Sequence, residues 1–248
     1  MIEIRKISKS FVDRPVLDNV SVVFETGKTN LIIGQSGSGK TVMMKTCIGL
    51  LDPDEGSVLF DDRDFTAADG RHKADVRREM GVLFQGGALF DSMTVEQNVM
   101  FPLDMFTDMT LDEKRDRVQF CLNRVNLKDA GKLYPSELSG GMMKRVAIAR
   151  AISNNPKYLF CDEPNSGLDP KTSEIIDELI SEITHEYNMT TVVNTHDMNS
   201  VLMIGERINF LYQGRLCWTG DNKSILTAQT PELRDFVFST ELTRRLRQ

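Results

Sequence analysis

The sequence GQSGSGKT, from Gly34 to Thr41, decides the fold of this chain of 248 residues. It matches the pattern GxxxxGK[ST] in full, and the backbone amides of such a loop surround phosphate groups. An apolar stretch at 30–33 precedes it and a helical pattern through Met43 and Ile48 follows it, which is the strand, loop and helix context that the motif requires. We therefore predict a nucleotide-binding phosphate loop made of Gly34, Gln35, Ser36, Gly37, Ser38, Gly39, Lys40 and Thr41.

Two side chains of the phosphate loop have defined expected roles. Lys40 places a cation beside the β and γ phosphates, and Thr41 offers a hydroxyl to Mg²⁺. A charge pair at ~4 Å contributes ~4 kcal/mol at an effective dielectric constant of ~20, so Lys40 should dominate phosphate binding. A dinucleotide-binding fingerprint is excluded, because GxGxxG would need a glycine at position 42, which is Val42.

Two adjacent carboxylates, Asp162 and Glu163, follow a second apolar stretch that runs from Tyr158 to Cys161. Acids at the end of a buried strand are costly unless they are used. We expect Asp162 to hold Mg²⁺ through water, and Glu163 to orient and deprotonate the water that attacks ATP. His196 ends another apolar strand, and its neutral imidazole is expected to reach the γ-phosphate and that water.

A lone glutamine, Gln85, follows the apolar stretch Met80–Phe84 and precedes Gly86 and Gly87. Its side-chain carbonyl can ligate Mg²⁺, and the two glycines give the loop freedom to move. We expect it to act both in catalysis and as a metal ligand. The expected catalytic residues are Glu163, His196, Gln85 and Lys40, and the expected metal ligands are Thr41, Gln85 and Asp162.

The sequence LSGGM, from Leu138 to Met142, precedes a helical pattern that reaches Ile148. Ser139, Gly140 and Gly141 would present a hydroxyl and bare amides at the N-terminus of that helix, which favours an anion. The chain already has one such site in its phosphate loop. Two anion sites with a single acid pair are explained if two copies stack head to tail with ATP between them, in a symmetric dimer.

The order of the segments predicts the fold class. Short strands fill the first sixty residues, the stretch 94–138 is helix-like, and strands alternate with helices from Tyr158 onward. Such alternation indicates a parallel sheet with helices on both faces. The helical stretch is then an insertion between the strands that carry Gln85 and Asp162.

Composition narrows the class of protein. The 36 acidic and 30 basic residues give a net charge of −6, which argues against a nucleic-acid partner bound by a basic face. The four cysteines form no CxxC pair and fit reduced thiols.

Uncharged stretches such as Met80–Phe90 reach 11 residues, whereas a membrane-spanning helix needs about 20 apolar residues. Since the start shows no signal-peptide pattern, we expect the chain to reach a membrane only by docking onto a partner.

Taken together and in this order, the five motifs resemble those of the ATP-binding cassette ATPases of membrane transporters, over residues 1–228. The resemblance implies an α/β P-loop NTPase fold with a RecA-like parallel-sheet core, an N-terminal antiparallel β subdomain and an α-helical subdomain inserted at about 94–155. It implies that 166–169 is the D-loop, with Asp169 at the nucleotide, and that Phe11 stacks on adenine. Core packing is the alternative for Phe11. The implied cofactors are ATP and Mg²⁺.

A narrower resemblance rests on the sequence LFQGGALFDSM at 83–93, on Pro135-Ser136-Glu137 leading into LSGGM, and on Met142, where most cassettes have glutamine. This combination is similar to the Mla-type ATPases associated with Mce-domain proteins, which power phospholipid movement between the inner and outer bacterial membranes. Asn165 departs from the threonine or serine common at its position. The implied partners are a second copy of the chain, an integral-membrane permease, an Mce-domain protein and a small regulatory subunit. The implied location is peripheral, on the cytoplasmic face of the inner membrane.

Other functions stay open at this point. They are a cassette transporter of another cargo, a soluble cassette ATPase in translation or DNA repair, and a P-loop phosphotransferase. The soluble proteins typically carry two cassettes or a long coiled coil, and the phosphotransferases need neither LSGGM nor His196. The Met- and Phe-rich stretch from Leu89 to Phe106 is predicted to grip a cytoplasmic helix of a permease.

The last segment, 229–248, begins with a helix start at Thr230-Pro231. Phe238, Leu242 and Leu246 follow four residues apart, and Arg244, Arg245 and Arg247 crowd the end. The pattern predicts a helical tail. It either caps the chain's own body or reaches a second subunit.

Overall fold

A computed structural model describes residues 1–12 and 14–238 of the chain. Its strands are β1 Ile2–Phe11, β2 Arg14–Phe24, β3 Thr29–Ile33, β4 Glu55–Phe60, β5 Arg63–Asp64, β6 Met80–Leu83, β7 Tyr158–Asp162, β8 Thr190–Thr195, β9 Arg207–Tyr212 and β10 Arg215–Gly220. Its α-helices are α1 Lys40–Cys47, α2 Gly70–Arg78, α3 Val95–Phe106, α4 Leu111–Arg124, α5 Gly140–Ile152, α6 Pro170–Glu186, α7 Met198–Ile204 and α8 Pro231–Val237. Short 3₁₀ turns lie at Pro135–Glu137 and Ile225–Thr227.

The first sheet is antiparallel, with the strand order β2-β1-β4-β5. One of its faces is apolar: Ile2, Ile4 and Phe60 are almost fully buried, in one core cluster with Met43 and Met44 of α1. The alternation of apolar and polar residues in β1 is what a strand covered on one face requires. This sheet therefore packs against the helix that begins at the phosphate loop.

The second sheet has the order β10-β9-β3-β8-β7-β6, with parallel pairing from β9 to β6 and an antiparallel β9–β10 hairpin at one edge. Every residue of β3 and β8 is buried, as expected for strands covered on both faces. Because β3, β7 and β8 are parallel, the segments that follow them meet at one edge of the sheet. Those segments carry the phosphate loop, the acid pair and His196.

Helices α3, α4 and α5 form a layer of their own beside this sheet. Capping boxes begin α3 and α4: Thr94 and Thr110 each accept a hydrogen bond from the third residue of the helix, and Gln97 and Glu113 bond back to the cap. Their apolar faces meet in one core, which includes Val99, Leu103, Val118, Leu122 and Val146. The three helices lie within the predicted insertion at about 94–155, whose boundaries stay a prediction.

The segment after residue 228 begins as predicted, with Thr230 at the N-cap and Pro231 in the first turn of α8. Leu233 and Val237 are fully buried, and the Phe236 ring lies 5.5 Å from that of Phe210 in β9. This part of the tail packs on the chain's own body. The predicted positions from Leu242 to Arg247 lie outside the described residues. Across residues 1–12 and 14–238, none of the helices has both the length and the apolar character needed to cross a bilayer.

Candidate active site

The phosphate loop connects β3 to α1 with a backbone that only glycine adopts easily. Gly37 and Gly39 have φ angles of 81° and 105°, in the left-handed region. A Cβ atom on Gly39 would lie 2.8 Å from the carbonyl oxygen of Val16 in β2. The Ser38 amide donates to the Gln35 carbonyl at 3.1 Å, which closes the turn. The loop is thus shaped by contacts inside its own chain.

Lys40 lies inside this loop rather than in solvent. The residue is 7% exposed, and its Nζ donates to the carbonyl oxygens of Gly34 and Gln35 at 2.8 and 3.1 Å. Burial lowers the pKa of the Lys40 ammonium, while the carboxylates of Glu163 and Asp162 act in the opposite direction. The ammonium is therefore held at the mouth of the loop with the acid pair nearby.

Asp162, at the end of β7, faces the first turn of α1. Its Oδ1 accepts a hydrogen bond from the Asn194 amide at 3.0 Å, and the Thr41 hydroxyl lies 3.5 Å from the same oxygen. A hydroxyl and a carboxylate are hard oxygen donors of the kind that Mg²⁺ prefers, and the ion is usually bound by one or two protein ligands with water completing the shell. Thr41 and Asp162 therefore fit the predicted metal site.

Glu163 and His196 form a pair. The Glu163 carboxylate lies 2.9 Å from Nδ1 of His196, and the Glu163 amide donates to the Asn194 carbonyl at 3.0 Å. The φ angle of Glu163 is 49°, uncommon for a residue other than glycine, and such a conformation persists only where the surroundings hold it. The Glu163 side chain is 16% exposed and that of His196 63%. A carboxylate oxygen accepts, so Nδ1 of His196 is the donor of this hydrogen bond.

Asn194 is a site residue that the motifs did not reveal. It is fully buried in β8. Its side-chain amide donates to the Asp162 carboxylate, and its backbone carbonyl accepts from the backbone N–H of Glu163. The only sequence signal was one amide side chain in the strand TTVVNT, and its role depends on the pairing of β8 with β7.

Gln85 lies just beyond β6, with an exposed side chain. Its backbone carbonyl accepts hydrogen bonds from Lys144 of α5 and, at 3.2 Å, from the hydroxyl of Ser166. Within the described residues, its side chain makes no hydrogen bond to Thr41 or Asp162. The structure therefore brings two of the three predicted metal ligands together, and the third would have to swing in from its loop.

The signature segment, Ser139–Gly141, starts α5 on an exposed surface. The Ser139 hydroxyl caps the helix, accepting from the Met142 amide at 3.3 Å, and a Cβ on Gly141 would lie 2.6 Å from the Thr172 side chain. Asp169 caps the neighbouring α6, and hydrogen bonds from Thr172 lower the pKa of its carboxyl. A cavity of about 340 Å³ separates the two helix starts.

Within the part of the chain that the structure describes, no hydrogen bond or ion pair joins the signature segment to the phosphate loop. The chain presents two helix starts suited to anions, and the acid pair accompanies only one of them. Geometry and sequence agree on this asymmetry.

Phe11 and Cys161 differ in exposure. Phe11 is 42% exposed at the end of β1, with Nζ of Lys9 5.7 Å from its ring centroid, so it does not fill the core. Cys161, next to the acid pair, is fully buried, and burial raises the pKa of its thiol. We therefore treat Cys161 as a strand residue rather than a reactive thiol.

Comparison with known proteins decides the family. Residues 17–166 match the model of the ABC transporter family. This chain belongs to that family. The family fold and an ATPase activity follow from this membership, as the sequence predicted.

Relatives match the ABC chain over almost its full length. The "Probable ribonucleotide transport ATP-binding protein mkl" of Mycobacterium leprae is 36% identical over 236 residues, which are 95% of this chain and 68% of that protein. The "Intermembrane phospholipid transport system ATP-binding protein MlaF" of Escherichia coli is 36% identical over 237 residues, 96% of this chain and 88% of that protein.

Among solved structures, the dimeric MJ0796, a bacterial ABC transporter cassette, superposes on the ABC chain with a TM-score of 0.82 and 34% identity, covering 90% of this chain and 99% of that one. The same cassette is also known as a dimer in a post-hydrolysis state bound to ADP and Pi, with a TM-score of 0.81. These comparisons confirm the predicted family and fold class.

Proposed function

We propose that two copies of this ABC subunit bind ATP between them, each triphosphate lying between the phosphate loop of one copy and the signature segment of the other. The observation that carries the proposal is the separation of the two anion sites within one chain, with the acid pair beside only one of them. The MJ0796 cassette, similar over 90% of this chain, is a dimer. A head-to-tail pair gives both sites a use with one set of catalytic residues.

In each site, Lys40 binds the β and γ phosphates and Phe11 stacks on the adenine. Thr41 and Asp162 hold Mg²⁺, joined by Gln85 when its loop brings the side chain inward. The ion supplies positive charge that neutralises the phosphate oxygens. The signature segment of the other copy completes the site, and Asp169 lies at the nucleotide.

Hydrolysis uses the pair at the edge of the sheet. The Glu163 carboxylate orients the attacking water and accepts its proton, and its bond to Nδ1 of His196 fixes both side chains. Nε2 of His196 can donate to a γ-phosphate oxygen only when both ring nitrogens carry hydrogens, since a neutral ring that donates from Nδ1 to Glu163 has none left on Nε2. Asn194 holds the strand ends in place, so the carboxylates do not have to be ordered during the reaction.

The proposed cargo is phospholipid, moved between membranes by a complex in which this chain is the peripheral ATPase on the cytoplasmic face of the inner membrane. The support is the 36% identity to MlaF of E. coli, together with LFQGGALFDSM at 83–93 and Met142. The partners are a permease, an Mce-domain protein and a small regulatory subunit. A second candidate is another cargo, favoured by the equal identity to the ribonucleotide-transport protein Mkl.

The decisive experiment isolates the native complex from membranes through a tag on this chain and reconstitutes it in vesicles. We expect a co-purified integral-membrane permease and ATP-dependent transfer of a fluorescent phospholipid to acceptor vesicles. ATP-dependent ribonucleotide uptake without lipid transfer would select the second candidate. A chain that purifies without any integral-membrane partner would refute the transporter assignment for both.

An exposed apolar patch beside Gln85 is the proposed permease contact. Phe90, Met105 and Phe106 are 41%, 59% and 45% exposed, and the Phe90 ring lies 4.8 Å from that of Phe101. The buried Asn98 fixes the loop, because its side chain bonds to both the amide and the carbonyl of Phe90. Flexible methionines and aromatic rings suit a partner helix.

Replacing the central ring tests this contact. In the reconstituted complex, Phe90→Ala should lower the amount of phospholipid transferred per ATP hydrolysed. ATP hydrolysis continues, but the weakened contact with the permease transmits less of it to transport. Phe120→Ala is the control, since that ring is similarly exposed at 44% but lies on α4. An unchanged transport-to-ATP ratio in Phe90→Ala would reject the patch as the coupling surface.

A further inference from the structure

A buried lysine connects three segments of the site. Lys144 lies on α5, five residues after Ser139, and is 6% exposed. Its ammonium donates to the backbone carbonyl of Gln85 and, at 3.3 Å, to the hydroxyl of Ser166 in the D-loop. The Ser166 hydroxyl donates to the same Gln85 carbonyl at 3.2 Å. The three groups close a triangle of hydrogen bonds between parts of the chain that are distant in sequence.

Electrostatics explains why the lysine stays there. Burial lowers the pKa of the Lys144 ammonium, and the acid pair, Asp162 and Glu163, together with Cys161, acts in the opposite direction. A buried cation without oxygen partners is costly, so the Gln85 carbonyl and the Ser166 hydroxyl stabilise it as much as it positions them. A shift of any one of the three groups breaks two of the three hydrogen bonds.

A second cation of α5 holds the same loop. Arg150 donates to the carbonyl oxygens of Gly87 and Ala88, each at 2.7 Å, and its guanidinium lies 5.9 Å from the centroid of the Phe90 ring. The loop after Gln85 is therefore bound to α5 at two points. When Gln85 moves toward a γ-phosphate, α5 has to follow or the hydrogen bonds to both cations are lost.

We infer that Lys144 is a positioning residue that couples the ATP site of its own chain to the signature segment serving the partner's ATP. This rests on the proposed shared site. Among the described residues, Lys144 makes no hydrogen bond to the phosphate loop. It acts through Gln85 and Ser166 on one side and through α5, which begins at the signature segment, on the other. Each chain contributes residues to two ATP sites, and the Lys144 ammonium links the residues that serve one site to those that serve the other.

The test replaces the charge while keeping the length of the side chain. For Lys144→Met we expect kcat for ATP hydrolysis to fall about 10- to 100-fold, the scale of a small misplacement of catalytic groups. The KM for ATP should change less than about twofold, because ground-state binding depends on the phosphate loop. Lys144→Arg should recover most of the turnover, since a guanidinium keeps both the charge and the donors. Lys128→Met, at an exposed lysine after α4, is the matched control and should behave as wild type.

A second variant keeps the test decisive if Lys144→Met is poorly folded. Ser166→Ala removes one side of the triangle and should lower kcat roughly fivefold, the equivalent of one hydrogen bond. In the double variant the loss should be no larger than in Lys144→Met alone, because both changes break the same connection.

Three results would overturn the inference: near-normal kcat in both single variants, a KM that rises in step with the fall in kcat, or an Arg variant no better than Met. Glu163→Gln is measured in parallel. If it is inactive while Lys144→Met is normal, only the role of Lys144 is rejected. If it still turns over ATP, the proposed active site fails, and this inference fails with it.

Discussion

The phosphate loop and the signature segment are both glycine-rich helix starts, yet they differ in how complete they are. The loop is enclosed: its lysine is buried, its turn is closed by its own hydrogen bonds, and the carboxylates of β7 lie beside it. The signature segment is open, and its serine only caps its own helix. An anion site without catalytic groups has no use in one chain alone. The difference supports the proposal that the second half of each ATP site comes from another copy.

The largest effect is expected at Glu163, which is proposed to activate water beside the enclosed phosphate loop. Glu163→Gln should lower ATP turnover by ~10²–10⁴-fold while ATP still binds, because the amide cannot accept the proton of the water. Single-turnover hydrolysis and binding of a fluorescent ATP analogue measure the two quantities. Glu178→Gln, at an exposed position of α6, is the control. Near-normal hydrolysis would contradict the role of Glu163.

Mixing two inactive variants tests whether the phosphate loop of one copy works with the signature segment of the other. Lys40→Ala disables the phosphate loop, and Ser139→Arg should block the signature segment. A mixed dimer then retains one intact site, from the phosphate loop of one chain and the signature segment of the other. An equal mixture should recover about a quarter of wild-type turnover, because half of the dimers are mixed and each has one of two sites. Full activity in either pure variant would show that the site is not shared.

A smaller effect, on stability rather than turnover, is expected at Asp177 of α6, a residue outside the motifs. Asp177 is 2% exposed on α6, and burial raises the pKa of its carboxyl to about 6, with Asp197 adding to the shift and hydrogen bonds from Ser200 and Asn165 opposing it. The raised pKa means that the fold prefers the protonated form. Its contribution to stability is therefore complete below pH ~4 and is lost as the pH rises through about 6.

Asp177→Asn should remove this penalty. At pH 7.5 the variant should be more stable than wild type by roughly 1 to 3 kcal/mol, and the advantage should vanish near pH 4. Urea unfolding between pH 4 and 8 measures the difference. Asp129→Asn, at an exposed position, should leave the pH dependence unchanged. A variant less stable than wild type at pH 7.5 would show that the ionised carboxyl is well accommodated.

The sequence allowed the phosphate loop and the acid pair to be predicted in some detail, because each is specified by residues adjacent in the chain. The motif at 34–41 specifies its own turn, its cation and its helix start, and the acid pair ends its own strand. The structure brings Glu163 and His196 within 2.9 Å of each other, and their shared role stays a prediction. Asn194, Lys144 and Asp177 could not be identified, since each acts through contacts with segments remote in the chain.

Sequence alone determined the family and the fold class and predicted the two anion-binding segments, because glycine, lysine and carboxylate chemistry at fixed spacings leaves few alternatives. Only the tertiary structure decided how those segments are tied together. The hydrogen bond from Lys144 to Gln85 joins residues 59 apart, and the contact of Thr41 with Asp162 joins residues 121 apart. Such contacts depend on strand order and helix packing, which place distant residues together without leaving a local pattern.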